Sequence, residues 1–209
     1  MPAAGSATFD AQVERVVRAG YAEALGTSER ELCQRLEPLR AVLLSRLERQ
    51  PSGSSCVLVV IASPEAVLPR VEPSKGRAFV DLRPKRAADF RPIDGLRVPD
   101  AEAYVLSDVD CGGDLLDVTP EAALRVIRSR HRSPLTIEEG VAVLVQHPDV
   151  LEERNAFSLL GSRSGDRRVP ALWTSRVRDR IGPRLGWCWD GNAHTWLGSA
   201  SCGGRDVVP

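Results

Sequence analysis

Over 209 residues, 28 lysines and arginines balance 28 aspartates and glutamates, with 27% of the chain charged and 43% hydrophobic. That composition suits a folded domain with its own core and excludes a disordered chain. The zero formal net charge leaves no bulk field to draw the molecule onto nucleic acid or an anionic membrane. The longest apolar run, VLVVIA at 57–62, falls far short of the roughly 20 residues a membrane helix needs, and MPAAGSATFDAQVE carries no signal pattern. The five cysteines (Cys33, Cys56, Cys111, Cys188, Cys202) are scattered without a CxxC pair, so neither a disulfide framework nor a zinc ribbon is indicated. A cytoplasmic protein with reduced thiols, no cofactor and no resident metal is expected.

In chain order, Val13, Val16, Val17, Tyr21 and Ala24 lie at helical spacing over 8–24, with Thr8 as an N-cap. Gly26 breaks that pattern. Ser28 with Glu31 forms a capping-box pattern that opens a second helix, about Glu29 to Arg49, striped by Leu32, Leu36, Leu39, Leu43 and Leu47; Pro38 must kink or split it. After a PSGSS linker at 51–55, CVLVVIAS reads as a central strand, RAFVDLR at 77–83 as a second and AYVLSDVD at 103–110 as a third. Thr119-Pro120-Glu121 opens a helix ending near His131. A further helix, capped by Thr136 or Ser133, carries Ile137, Val141, Leu144 and Val145 on one face. There Glu138 and Glu139 need only the helix dipole to explain them. From Asn155 short apolar runs alternate with turn residues, which implies an antiparallel meander, and GGRDVVP reads as a loose tail. The fold expected is α+β: an N-terminal helical hairpin (1–50) packed on a mixed or antiparallel sheet, two middle helices and a C-terminal β-meander, with 51–209 as the body and the two parts one integral domain.

Three stretches invite chemistry. GWCWDGNAHTWLG, 186–198, holds three of the four tryptophans. With Asp190-Gly191-Asn192 as the turn, it predicts a hairpin with Trp187 and Trp189 on one face, Cys188 on the other, and Trp196 beside His194 on the returning strand. Such a cluster either fills core or forms an aromatic floor for a ligand. A zinc site from Cys188, His194 and Cys202 fails on ligand spacing. Cys188 or Cys202 as thiolate with His194 or His131 as base needs a proximity that spacing alone does not establish.

The second stretch runs from 161 to 184, where seven arginines (163, 167, 168, 176, 178, 180, 184) face only Asp166 and Asp179. By contrast, 100–123 carries seven acids and no base. The simplest account is complementarity, within the monomer or between two copies in a homodimer. The alternative is that Arg163, Arg167 and Arg168 grip a carboxylate or phosphate through forked contacts. The third is SDVDCGGD, whose Asp108, Asp110 and Asp114 resemble cation ligands but lack an EF-hand pattern, so solvated turn acids suffice.

AYVLSDVD, RSPLTIEEGVAVL, FSLLGSRSGDRRVPALW and LGWCWDGNAHTWLGSASCGGR together resemble an actinobacterial family defined only as a domain of unknown function. The likeness runs from the N-terminal helix pair to Arg205. It implies a bacterial cytoplasmic setting and one integral domain, and it adds nothing on mechanism because the family carries no established activity.

The functional expectation is a binding or accessory protein that holds an anionic, partly aromatic small molecule or a protein segment. Trp187, Trp189, Trp196, Trp173 and Asn192 would supply surface, flanked by Arg163, Arg167 and Arg168. The rival is a small enzyme of specialised metabolism with His194 as acid/base, assisted by Cys188, Cys202 or Asp190. A nucleic-acid binder ranks last because no field supports it, and no membrane partner is expected.

Overall fold

The computed structural model describes residues 9–49, 55–71, 73–74, 76–151, 156–177 and 180–208. The expected cap at Thr8, the linker residues 51–54, the meander's start at Asn155, and Arg178 and Asp179 lie outside them.

The N-terminal third is helical: α1 (Phe9–Arg18), α2 (Tyr21–Ala24), α3 (Glu29–Leu36) and α4 (Leu39–Arg49). The first predicted helix breaks at Gly20, whose φ of 77° is left-handed. A side chain there would also collide with Arg70. Ser28 caps α3, its hydroxyl accepting the Glu31 N–H at 3.2 Å. Pro38 does split the second helix, and Leu32, Leu36, Leu39 and Leu43 are buried on both sides of the break.

Gln12 is the unexpected member of the α1 face, 2% exposed. Its amide donates to Cys56 O at 2.9 Å and accepts from Leu58 N–H at 2.7 Å, so a side chain closes a free strand edge that would otherwise bury unpaired backbone groups.

The rest of the chain runs β1 (Ser55–Val60), α5 (Pro64–Val67), β2 (Phe79–Val80), β3 (Arg91–Pro92), β4 (Ala103–Val109), α6 (Pro120–Ser129), β5 (Ser133–Pro134) and α7 (Ile137–Gln146). It ends with β6 (Ala156–Ser158), β7 (Ser162–Arg163), β8 (Arg168–Val177), β9 (Arg180–Trp189), β10 (Leu197–Ser199), β11 (Ser201–Cys202) and β12 (Gly204–Asp206). One antiparallel sheet has the order β1-β4-β12; a mixed sheet has the order β10-β6-β8-β9-β2; β5 pairs with β11 and β3 with β7. The architecture is α+β, with helices first and strands last. Helix α7, started by a capping box between Thr136 and Glu139, packs on α1, β1 and β8, and all of it but Glu138 is buried. The N-terminal leucines and the strands of both sheets belong to the same core cluster.

Three expectations need correction. The strand over 77–83 shrinks to β2, because after Asp81 N–H bonds Leu185 O the chain turns inward at buried Leu82. The loose tail is instead β12, paired with β4. It is held by Arg205, which donates to both carboxylate oxygens of Glu139 at 2.5 and 2.7 Å. Glu139, for which the sequence asks only the helix dipole, also accepts from Tyr104 Oη at 2.9 Å and from Thr136 N–H at 2.7 Å. A buried carboxylate demands such partners.

Finally, the acids of 100–123 do not pair with the arginines of 161–184 among the described residues. Asp108 pairs with Arg132, Asp114 with Arg130, Glu121 with Arg125 and Glu102 with Arg35, all of them nearer in the fold. Asp110 accepts Gly112 N–H at 2.8 Å.

Candidate functional site

The β8–β9 pairing, from Arg168↔Trp189 to Val177↔Arg180, decides where each tryptophan points. Opposed residues in an antiparallel pair share a face. Trp187 and Trp189 therefore lie with Arg168, whose guanidinium carbon stands 4.6 and 4.9 Å from their ring centroids. The two rings meet edge to face at 4.9 Å, and Trp187 Nε1 donates to Arg83 O at 3.0 Å. Trp173 lies on the opposite face, opposed to Arg184, which stacks at 5.0 Å from its ring. Gly186 makes room for that ring, since a Cβ there would sit 2.3 Å from it. Trp196 joins Trp173 at 6.2 Å, and His194 packs on Trp196 at 5.2 Å.

The expected Trp187–Trp196 hairpin is thus absent. Strand β9 pairs with β8, and β10 runs parallel to β6. Local turn chemistry loses because the carbonyls of Asp190 and His194 are taken by the N–H groups of Glu121 and Asp117, which draw residues 190–194 toward the start of α6. Leu197 is then buried beside Ala156.

A cavity of about 300 Å³ is lined by Trp173, Trp187, Cys188, Trp189, Asn192, His194, Trp196 and Leu197. Its lining takes residues from both faces of β9, together with Asn192, His194, Trp196 and Leu197 from beyond the end of that strand. Trp189 and Trp196 are 41% and 42% exposed, a large apolar surface to leave in water. Asn192 is exposed and its N–H bonds Trp189 O at 3.1 Å.

No charged side chain lines the cavity, but charges ring it. Asp166 is shared by Arg168 (2.5 Å) and Lys85 (3.4 Å), and Asp81 by Arg83 and Arg184 (3.0 Å each). Asp190 bonds Arg167 at 2.8 Å and also acts electrostatically on Arg163. At the rim five cations, Arg83, Lys85, Arg167, Arg168 and Arg184, meet these three carboxylates, an excess of two positive charges. The Arg168 N–H first, with Ser164 and the Arg168 guanidinium, holds the Asp166 carboxyl far below the usual carboxylate range, against the desolvation that raises it. Burial lowers the Arg163 pKa, and its guanidinium donates to the carbonyls of Leu160 (3.1 Å) and Ser162 (3.0 Å). Arg168 Nε and Arg184 Nε are buried without a partner among the described residues. Arg167 is 70% exposed and commits only its Nε to Asp190.

Of the expected arginines, Arg168 and Arg167 thus border the cleft, whereas Arg163 sits behind Cys188. Asp81, Arg83, Lys85 and Arg184 join them without having been singled out; only Arg184 carried a signal, as part of the basic stretch.

Of the residues of the enzymatic reading, Cys188 and His194 line the same cavity, and Cys202 stands apart from them. Cys202 lies in β11, in the main core, and burial pushes its thiol up to about 12. Cys188 points to the Trp173 face, and burial pushes it up to about 11. Both shifts disfavour a thiolate near neutral pH. Asp190 is engaged by Arg167. Among the described residues no three His, Cys, Asp or Glu side chains converge to hold a metal ion, and no helix is long and apolar enough to cross a membrane.

A model of the Family of unknown function (DUF5701) matches residues 15–208, so the chain belongs to that family. No curated protein and no solved structure matches it.

Proposed function

We propose that this member of the family is a binding protein, and that its tryptophan cleft holds an anionic, partly aromatic ligand or protein segment. The observation that carries this is the pair of half-exposed indoles, Trp189 and Trp196, at a cavity of about 300 Å³ inside a ring of excess positive charge. Rings of a ligand gain area and stacking from the indoles, at roughly 0.5–1.5 kcal/mol per aromatic pair beyond burial. An acidic group gains from the uncommitted donors of Arg167 at the rim, where the guanidinium lies across Gly191. A low volume and an open mouth favour a small planar group over a bulky one.

The test is a thermal-shift and tryptophan-emission screen against indole-3-acetate, benzoate, neutral indole, acetate and benzylamine. The aromatic acids should raise the melting point and move the emission, with acetate and benzylamine weaker. Trp189→Ala/Trp196→Ala should abolish the response with little loss of stability, since both rings are half exposed. A silent screen, or a response that survives in the double variant, would falsify the proposal.

A further inference from the structure

We infer that the occupant of the cleft is an acidic peptide segment in extended conformation, which adds a short strand to the outer edge of β9 at Trp187–Trp189. The inference rests on the cleft being a recognition site, as proposed above.

Its basis is the direction of backbone groups. Pro170 stands opposite Trp187, and its carbonyl accepts Leu159 N–H at 2.8 Å on the side of β6. Pro170 therefore turns its hydrogen-bonding side away from β9, which makes 170/187 a non-hydrogen-bonded pair. Backbone groups of residues 185, 187 and 189 must then point outward from β8. Leu185 agrees, since its carbonyl accepts Asp81 N–H at 2.8 Å from the β2 side.

Beyond Leu185 the β2 segment leaves the edge, and the strand pairing on that side stops at Val80↔Leu185. Trp187 thus offers an N–H and a carbonyl at the edge, and Trp189 an N–H, its carbonyl being taken by Asn192 N–H at 3.1 Å. An amide chain is the chemistry that matches alternating donors and acceptors. The two-faced lining of the cavity fits as well. Successive side chains of an added strand point to opposite faces, one toward Trp187 and Trp189, the next toward Trp173, His194 and Trp196.

Charge selects the class of peptide. Asp81 and Asp166 are each shared by two cations, and Asp190 pairs with Arg167. The exposed side chains of Arg83 (85%) and Arg167 (70%) flank the edge. An acidic segment lowers that field and a basic one raises it.

The experiment selects from a random nine-residue peptide library displayed on phage, against the full chain. The enriched peptide is then synthesised with each amide N-methylated in turn, which removes a donor and keeps the side chains. Expected are sequences rich in aspartate and glutamate around an aromatic residue, and affinity losses of roughly tenfold at alternate positions. The amide resonances of Trp187 and Trp189 should also shift.

No enrichment, a basic consensus, or affinity indifferent to N-methylation at every position overturns strand addition. If indole-3-acetate still binds through Trp189 and Trp196 in that case, the cleft stands and only its peptide occupant falls. If neither binds, both fall together.

Discussion

Replacing Arg205 by alanine should cost more than any surface substitution on the chain. The Glu139 side chain is 0% exposed and the Arg205 side chain 6%. Without the guanidinium, Glu139 keeps only Tyr104 Oη and Thr136 N–H as donors in place of four charge-assisted and neutral bonds. Breaking a buried pair from one side typically costs about 3–5 kcal/mol, because a charge is left uncompensated. At roughly 2–4 °C per kcal/mol for a chain of this size, the melting point should fall by about 6–20 °C. Urea denaturation followed by far-ultraviolet circular dichroism measures the loss directly. Arg205→Ala/Glu139→Gln should then be more stable than Arg205→Ala alone, because the stranded charge is gone while the amide oxygen can still accept Thr136 N–H. A loss below about 1 kcal/mol for Arg205→Ala, or no recovery in the double variant, would refute the view that this pair fastens β12 to α7.

Gly186→Ala should displace the Trp173 ring, since the new Cβ would meet it at 2.3 Å. Altered tryptophan emission and weaker binding in the cleft are expected at a stability cost of about 1–3 kcal/mol; unchanged emission would contradict the packing described. Burial raises the thiols of Cys188 and Cys56 to about 11 and those of Cys111 and Cys202 to about 12. A raised thiol pKa means little thiolate until the pH approaches it, so iodoacetamide at pH 8 should label half-buried Cys33 first and the other four slowly. Fast labelling of Cys188 at that pH would revive the nucleophile. Residues 51–209 expressed alone should fail to fold cooperatively. Removing α1 uncovers the β1 edge that Gln12 closes, and removing α3 and α4 strips Leu32, Leu36 and Leu43 from the core. A sharp urea transition in the fragment would count against a single integral domain.

Local signals in the sequence carried the helices well. The Ser28 and Thr136 caps, the Pro38 break and the Thr119-Pro120 start all depend on neighbours within a few residues, and each appears where periodicity put it. Long-range partners were not legible. Gln12 reads as a polar interruption of an apolar stripe until β1 is seen to need its amide. Glu139 reads as a dipole acid until Arg205 arrives from 66 positions away.

The tryptophan segment shows both sides of this. Alternation correctly put Trp187 and Trp189 on one face with Cys188 on the other, whereas the Asp190-Gly191 turn suggested a hairpin that tertiary hydrogen bonds from Glu121 and Asp117 prevent. Arg184 and Asp81 reach the cleft through the register of β8, β9 and β2, which residue spacing does not encode.

The most direct test of the cleft as a recognition site is a ¹⁵N spectrum of the four indole Nε1–H groups, assigned with single Trp→Phe variants and titrated with indole-3-acetate. The Trp189 and Trp196 resonances should move together and saturate at one dissociation constant, with Trp187 moving less because its Nε1–H is held by Arg83 O. Four unmoved resonances at millimolar ligand, or shifts confined to Trp187, would contradict the account.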